Sequence, residues 1–295
     1  MKHPFLFILF LCAISACQPQ VNTTLTAKFV NPDISQEDML LAKKQIEARL
    51  GNIKAMNSKV TLDKASKKIT FQGANKVSNK LSRKFQSLFK KSKFEVRPIK
   101  DVERDDLRAL MDSLPEVKGV RYLSSLEYYK GSGVLGYVKK EINQENVLSI
   151  LNGHFARIKD LKIMISKVPT SKGTKNNGLY QLYLIEMGGE KYISQSYISG
   201  ATSFTNKIDN TTQVKVSLNH KGAKILAGLT TDASRNDNRS LALLYNDCVL
   251  SAPSVMTPIT SGILVLAYEA QEKELAELAD ILSMGPLSYD LENVE

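Results

Sequence analysis

Three cysteines, at positions 12, 17 and 248, are the nucleophiles of this 295-residue chain that are simplest to place. Cys17 follows a basic start at Lys2, an apolar run from Phe5 and the small-residue end Ile14-Ser15-Ala16. Its thiol is a nucleophile with small neighbours that let a peptidase reach the backbone. Cys248 stands beside Asp247 with nothing local to lower its pKa, so it reads as a packing thiol. His154 and His220 are far apart, and neither has a second His or Cys at ligand spacing, so no metal is expected. Gly131-Ser132-Gly133-Val134-Leu135-Gly136 fits G-x-G-x-x-G, but a dinucleotide site needs a helix after it, and the residues that follow read as a strand. It therefore reads as a flexible joint. Asp105-Asp106 lies in a charged helical stretch and reads as a solvated face. There is no G-x-S-x-G elbow. No cofactor and no covalent catalysis are expected.

The apolar run is too short to cross a bilayer, which takes about 20 residues. It has the layout of a secretory signal over residues 1–16. Ile14-Ser15-Ala16-Cys17 resembles the lipobox of bacterial lipoproteins. That resemblance implies a diacylglyceryl group on the sulfur, a further acyl chain such as palmitate, and a lipidated tether over residues 17–22. Several acyl chains make such an anchor stable. Cys12 would leave with the signal and Cys17 would be acylated, so no intrachain disulfide is expected. No later stretch reaches 18 apolar residues.

The net charge is +10 and unevenly spread. Residues 51–100 hold 14 Lys and Arg against Asp63 and Glu95, whereas Glu269 to Glu295 hold eight acids and one lysine, Lys273. Lys84, Lys90, Lys91 and Lys93 make a candidate membrane-facing basic patch, since a lysine near anionic headgroups contributes about 1 kcal/mol. A solvated lysine-rich surface is the plainer reading. Nucleic acid is a poor partner for an exported chain.

The elements that would carry these residues fall into two units. Residues 23–100 read as β-α-β-β-α-β, the ferredoxin-like pattern. A strand lies at 25–30. Ser35 caps a helix to about Leu50, with Asp38 supporting its first turn and Met39, Ala42, Ile46 and Leu50 at helical spacing. Strands at 58–62 and 68–72 flank the turn Asp63-Lys64-Ala65-Ser66, a helix runs from 76 to 89, and Phe94-Glu95-Val96 closes the unit. Residues 101–133 read as a connector. A second unit, 134–287, alternates strands and helices. In it Leu241–Tyr245 and Cys248–Ser251 flank Asn246-Asp247, two residues that tolerate positive φ, which predicts a tight hairpin. Glu272–Ser283 is an amphipathic helix stopped by Gly285-Pro286. Residues 288–295 read as an acidic tail. Tyr122, Tyr128, Tyr129, Tyr180, Tyr183, Tyr192 and Tyr197 suit either a β-sheet core or the anchoring of unfolded segments, with the core favoured.

Residues 220–230 (HKGAKILAGLT), 241–262 (LALLYNDCVLSAPSVMTPITSG) and 270–287 (AQEKELAELADILSMGPL) resemble the large periplasmic domain of SecD. So do AKKQIEARL (42–50), KKITFQGA (67–74) and Ser199-Gly200. GVLGYVKKEINQENVLSILN (133–152) is similar to SecDF fusions of Bacteroidetes-like bacteria. The resemblance implies an α+β fold: a ferredoxin-like base and a head subdomain over about 199–287. Together with the lipobox it implies a non-catalytic, lipid-anchored module on the cell membrane or outer membrane, facing the periplasm. Its partners would be translocating polypeptide or Sec translocase components. An alternative is an envelope lipoprotein that keeps the head fold for an unrelated partner. The chain departs from the family at Asn246-Asp247 (Asp-Gly in the family), Leu266 (Gly) and Gly285-Pro286-Leu287 (Gly-Ala-Leu), and it shows none of the six membrane-spanning helices that carry proton-coupled work there.

Overall fold

The computed structural model describes residues 22–52, 58–74, 87–100, 109–110, 112–124, 127, 132–155, 160–170, 176–189 and 191–294. The signal, Cys17, Lys84, Asp105-Asp106, Tyr128, Tyr129, Gly131 and most of the helix expected at 76–89 lie outside the described residues. The fold is α+β, as expected.

The base starts with β1 (Asn22–Phe29), α1 (Gln36–Asn52), β2 (Ser58–Asp63) and β3 (Lys68–Ala74). Ser35 caps α1, its Oγ accepting from the Asp38 N–H at 3.1 Å and donating to the Asp38 carboxylate at 2.7 Å. The β2–β3 turn is held by Asp63, which accepts from the N–H groups of Ala65 and Ser66. The base core comprises Ala27, Phe29, Met39, Ala42, Ile46, Ile69 and Phe71, joined by Leu88 and Phe89.

Two expected boundaries are corrected. The strand at β4 (Phe94–Pro98) does not close the base over residues 23–100, and residues 288–295 are not simply a tail. The last strand, β15 (Leu291–Val294), pairs antiparallel with β1 and gives the order β15-β1-β3-β2. β4 lies inside another sheet, paired with β12 (Leu241–Tyr245) and β9 (Ile193–Ser194). The reason is burial. Phe94, Glu95, Val96 and Arg97 are all buried, which only a strand covered on both faces provides. Leu291-Glu292 alternates, as suits a half-covered edge.

The stretch expected as a connector over 101–133 contains β5 (Val120–Tyr122). It pairs with β6 (Val134–Val138), which leads through α2 (Gln144–Phe155) to β7 (Leu161–Ile165) and β8 (Tyr180–Glu186). The order β5-β6-β8-β7 repeats the base topology. The repeat reaches the helix starts: Ile34-Ser35-Gln36-Glu37-Asp38 matches Ile142-Asn143-Gln144-Glu145-Asn146, and Asn143 accepts from the Asn146 N–H at 3.0 Å as Ser35 does from Asp38.

The head comprises β10 (Ile198–Thr205), β11 (Thr212–Leu218), α3 (His220–Arg235), β14 (Ile263–Leu266) and α4 (Glu272–Met284). It packs on the sheet β13-β12-β4-β9, where β13 is Cys248–Ser251. One face of that sheet gives Phe94, Val96, Leu241 and Leu243 to the head core. The other gives Ala242, Leu244 and Val249 to a core shared with Met164, Tyr183 and Ile185 of the second βαββ unit.

Candidate functional site

Alternation places the head sheet. Val214, Val216, Leu218, Leu264 and Leu266 are buried against α3 and α4. Leu266, where the family has Gly, is fully buried. Asn219 caps α3 by accepting from the Gly222 N–H at 2.9 Å. The opposite face is open. The register sets Thr202 and Val265 on either side of Lys215, and Phe204 opposite Gln213. Phe204, Val265 and Ile208, which lies in the β10–β11 loop, are exposed apolar side chains. With the sheet order β10-β11-β14, β10 has, among the described residues, a hydrogen-bonded neighbour on one side only.

The head meets the base through α4. Leu275, Leu278, Ala279 and Leu282 face the head core, while Ile281 and Met284 face the base core. Arg49, fully buried on α1, completes the joint. Its guanidinium donates to Gly285 O (3.1 Å), Leu88 O (2.6 Å) and Lys90 O (2.8 Å). It therefore meets carbonyls just past the end of α4 and along 88–90, where partial negative charge collects. Burial lowers the guanidinium to about 10, so it stays charged at neutral pH. Beside it, the Ser92 hydroxyl donates to Gln195 Oε1 at 2.7 Å, and Gln195 Nε2 donates to Ile281 O. The signal for Arg49 in the sequence is an arginine three residues after Ile46, within the apolar stripe of α1.

Asn246 and Asp247 form the expected hairpin turn, both at positive φ, +48° and +64°. Asn246 also holds the strand β4 from its start. Its Oδ1 accepts from the Lys93 N–H at 2.9 Å and its Nδ2 donates to Lys91 O at 3.2 Å. Lys90, Lys91 and Lys93 sit at this same joint, each beside an acid. Lys90 pairs with Glu277, Lys91 with Asp290 at 2.9 Å, and Lys93 with Glu95 and Asp247 at 3.7 and 3.8 Å. The acidic end of the chain thus folds back onto part of the basic segment, which ties together the two regions of opposite charge.

The other chemistry-bearing residues are not brought together. Burial and the neighbouring Asp247 push the half-buried Cys248 thiol up, which disfavours a nucleophilic thiolate. Among the described residues no three of His, Cys, Asp and Glu converge on a metal position. Gly133 is no loose joint. It is buried at φ +64°, and a Cβ there would stand 1.7 Å from Ile99 Cγ2. Strand β6 follows it. Tyr183 is core, Tyr192 lies 3.9 Å beneath Arg97, and Tyr122 donates to Pro115 O. A cleft of about 480 Å3 opens between the second βαββ unit and the head. Its Glu186 and Arg239 pair with each other at 2.6 Å.

Residues 172–289 match the family model of the SecDF P1 head subdomain. Protein translocase subunit SecD of Acidaminococcus fermentans is 40% identical over 82 residues, 28% of this chain and 19% of that protein. The match therefore spans about a fifth of the relative's length. Two solved structures share the fold at 14% identity and a TM-score of 0.50. One is of a membrane component SecDF that enhances protein export, the other of SecDF in a super-membrane-facing form. Each covers 92% of this chain, with 98% and 29% of their own chains aligned. No helix among the described residues is long and apolar enough to cross a membrane. Residues 172–289 thus carry a SecDF P1 head subdomain, on a fold that the described chain shares with the SecDF structures.

Proposed function

We propose that this chain is a lipid-anchored, non-catalytic module of protein export, which binds polypeptide on the far side of the membrane or docks on the translocase there. The head carries the reading. Its matched segment, 172–289, presents an open sheet face with Phe204 and Val265 exposed around Lys215, and exposed aromatic and aliphatic side chains are what unfolded segments bind. The anchor would be the acylated Cys17. Four residues lie between it and Asn22, where β1 starts, so the five residue steps span at most roughly 18 Å. That would hold the base close to the bilayer.

The test is site-specific photocrosslinking from position 204 to an exported precursor stalled in an unfolded state. Crosslinks above the level of an unrelated lipoprotein support the reading, and their absence refutes it. Cys17→Ser tests the anchor separately: the variant should leave the membrane fraction, and its retention there would refute lipid attachment.

A further inference from the structure

β10 is an unguarded sheet edge. Sheet edges are templates for another chain, and proteins blunt them with charges, proline, bulges or shortness. Among the described residues the other edges are blunted in these ways. β2 carries Lys59 and Asp63, β15 carries Glu292, β5 has three residues including Arg121, β9 has two residues, and β14 has four. β7 and β13, the outer strands of their sheets, are joined where Ser166, just past the end of β7, bridges to Val249 of β13. β10 runs for eight residues, Ile-Ser-Gly-Ala-Thr-Ser-Phe-Thr, with no charge and no proline. Its one irregularity is a register shift between Ile198 and Gly200, which leaves 201–205 regular.

The register says which groups are free. Asn206 N donates to Thr211 O at 2.8 Å across the hairpin end. In an antiparallel pair, residues bonded across the ladder alternate with residues whose N–H and C=O point away. Phe204 and Thr202 therefore bond to β11 opposite Gln213 and Lys215, while Ala201, Ser203 and Thr205 turn their backbone groups outward. Ser203 and Thr205 are exposed and Ala201 is half-buried. No backbone bond from the described residues reaches these outward groups.

We propose that the free edge of β10 is a strand-addition site for an extended polypeptide segment, held by the backbone groups of Ala201, Ser203 and Thr205. The inference rests on the reading of the head as a polypeptide-binding module. Backbone pairing makes few demands on side chains, so it suits segments of many sequences. Every second side chain of the added strand would extend the open face beside Phe204 and Thr202, one row from Lys215. A second copy of the chain is the less suited occupant, because each copy carries a net charge of +10 and like charge opposes association.

The probe is a fluorescein-labelled ten-residue peptide of alternating threonine and valine with glutamate at both ends. Its partner probe is the same peptide N-methylated at every second residue. Anisotropy with the full chain should show the N-methylated peptide binding at least about ten-fold more weakly, the effect of losing about one net hydrogen bond or more. Ser203→Pro removes an outward donor and leaves the β11 ladder intact, so it should weaken the parent peptide about ten-fold with unchanged circular dichroism. If that variant misfolds, the two peptides against the unaltered chain decide the matter. Equal binding of both peptides overturns strand addition. So does a dimer in sedimentation that Ser203→Pro dissolves, since the edge would then pair with itself. An unfolded carboxymethylated protein separates the two levels: binding insensitive to Ser203→Pro refutes only the edge, whereas no binding at all refutes the polypeptide-binding reading too.

Discussion

Arg49→Met removes the guanidinium that joins α1 to the end of α4 while keeping the apolar stem. Three short bonds, to the Gly285, Leu88 and Lys90 carbonyls, disappear together with a longer one to Ser87 O at 3.4 Å. Hydrogen bonds from a charged donor contribute about 1.5 kcal/mol each, so the short ones sum to about 4.5 kcal/mol. Removing a buried charge returns part of its desolvation cost, whereas the buried carbonyls left behind lose their donor, at about 1–3 kcal/mol for each one left unpaired. The net loss is about 3–4 kcal/mol, a large part of the roughly 5–15 kcal/mol that holds a domain together. The loss falls at one place, the seam between the two cores that α4 serves. Urea unfolding followed by circular dichroism should therefore shift its midpoint downward and split, with the base melting before the head. Native-state hydrogen exchange would locate the early phase in α1, β1 and β3. A variant within about 1 kcal/mol of the parent, unfolding in one unaltered step, would refute the assignment of Arg49 as the pin.

Four further outcomes follow from local geometry. Asp38 lies below its ordinary range, chiefly through the Ser35 hydroxyl and then the Tyr289 hydroxyl, and partial burial with the Asp38 contact pushes Tyr289 up to about 12. Both groups favour the contact between those limits: the Asp38 share is present above its usual 3.8 and lost as pH falls through its lowered value. The Tyr289 share is present below its usual 10.0 and lost as pH rises toward 12. Tyr289→Phe should therefore speed amide exchange at Glu292 and Val294, whose N–H groups face β1, at pH 7, with the difference shrinking on strong acidification; an equal difference at both pH values would contradict the contact. At the hairpin, Asn246→Ala loses two side-chain bonds at positive φ and should cost about 2–3 kcal/mol in urea unfolding. Asp247→Gly relieves positive φ while giving up exposed pairs to Lys93 and Lys162, and should stay within about 1 kcal/mol. Gly133→Ala places a methyl group onto Ile99 and should cost at least about 3 kcal/mol; adding Ile99→Ala should recover only part, because the φ strain remains, and full recovery would show that space alone matters.

The locally coded parts of this fold were legible in the sequence. Ser35 with Asp38 marked the start of α1, Asn246-Asp247 marked a hairpin, and the stripe of α4 with Gly285-Pro286 marked a helix and its stop. What escaped was non-local. Phe94-Glu95-Val96-Arg97 can be recognised as a strand, but nothing in those residues names Leu241–Tyr245 as its neighbour. Leu291-Glu292-Asn293-Val294 reads as an acidic end because four residues carry too little pattern to declare a strand. Arg49 was read past because an arginine in an apolar stripe is usually drawn outward along its stem. Here carbonyls of distant residues receive it. The unprotected edge of β10 was visible as a run without charge or proline, yet only the sheet order shows that it has one neighbour.

The pairing of β1 with β15 has a consequence in time. Delivered from its N-terminal side, the chain presents Asn22–Phe29 early and Leu291–Val294 near the last of the residues seen here. β1 therefore waits for its outer neighbour until nearly all the residues between them have arrived. During that interval the head, whose strands and helices lie closer together along the chain, has the shorter loops to close. The base completes its sheet only when the far end returns to it, bringing Asp290 to Lys91 and Tyr289 to Asp38. The strand nearest the start of the described chain is thus among the last to be fully paired, and deleting Leu291–Val294 would leave its outer edge open while β3 still covers the other.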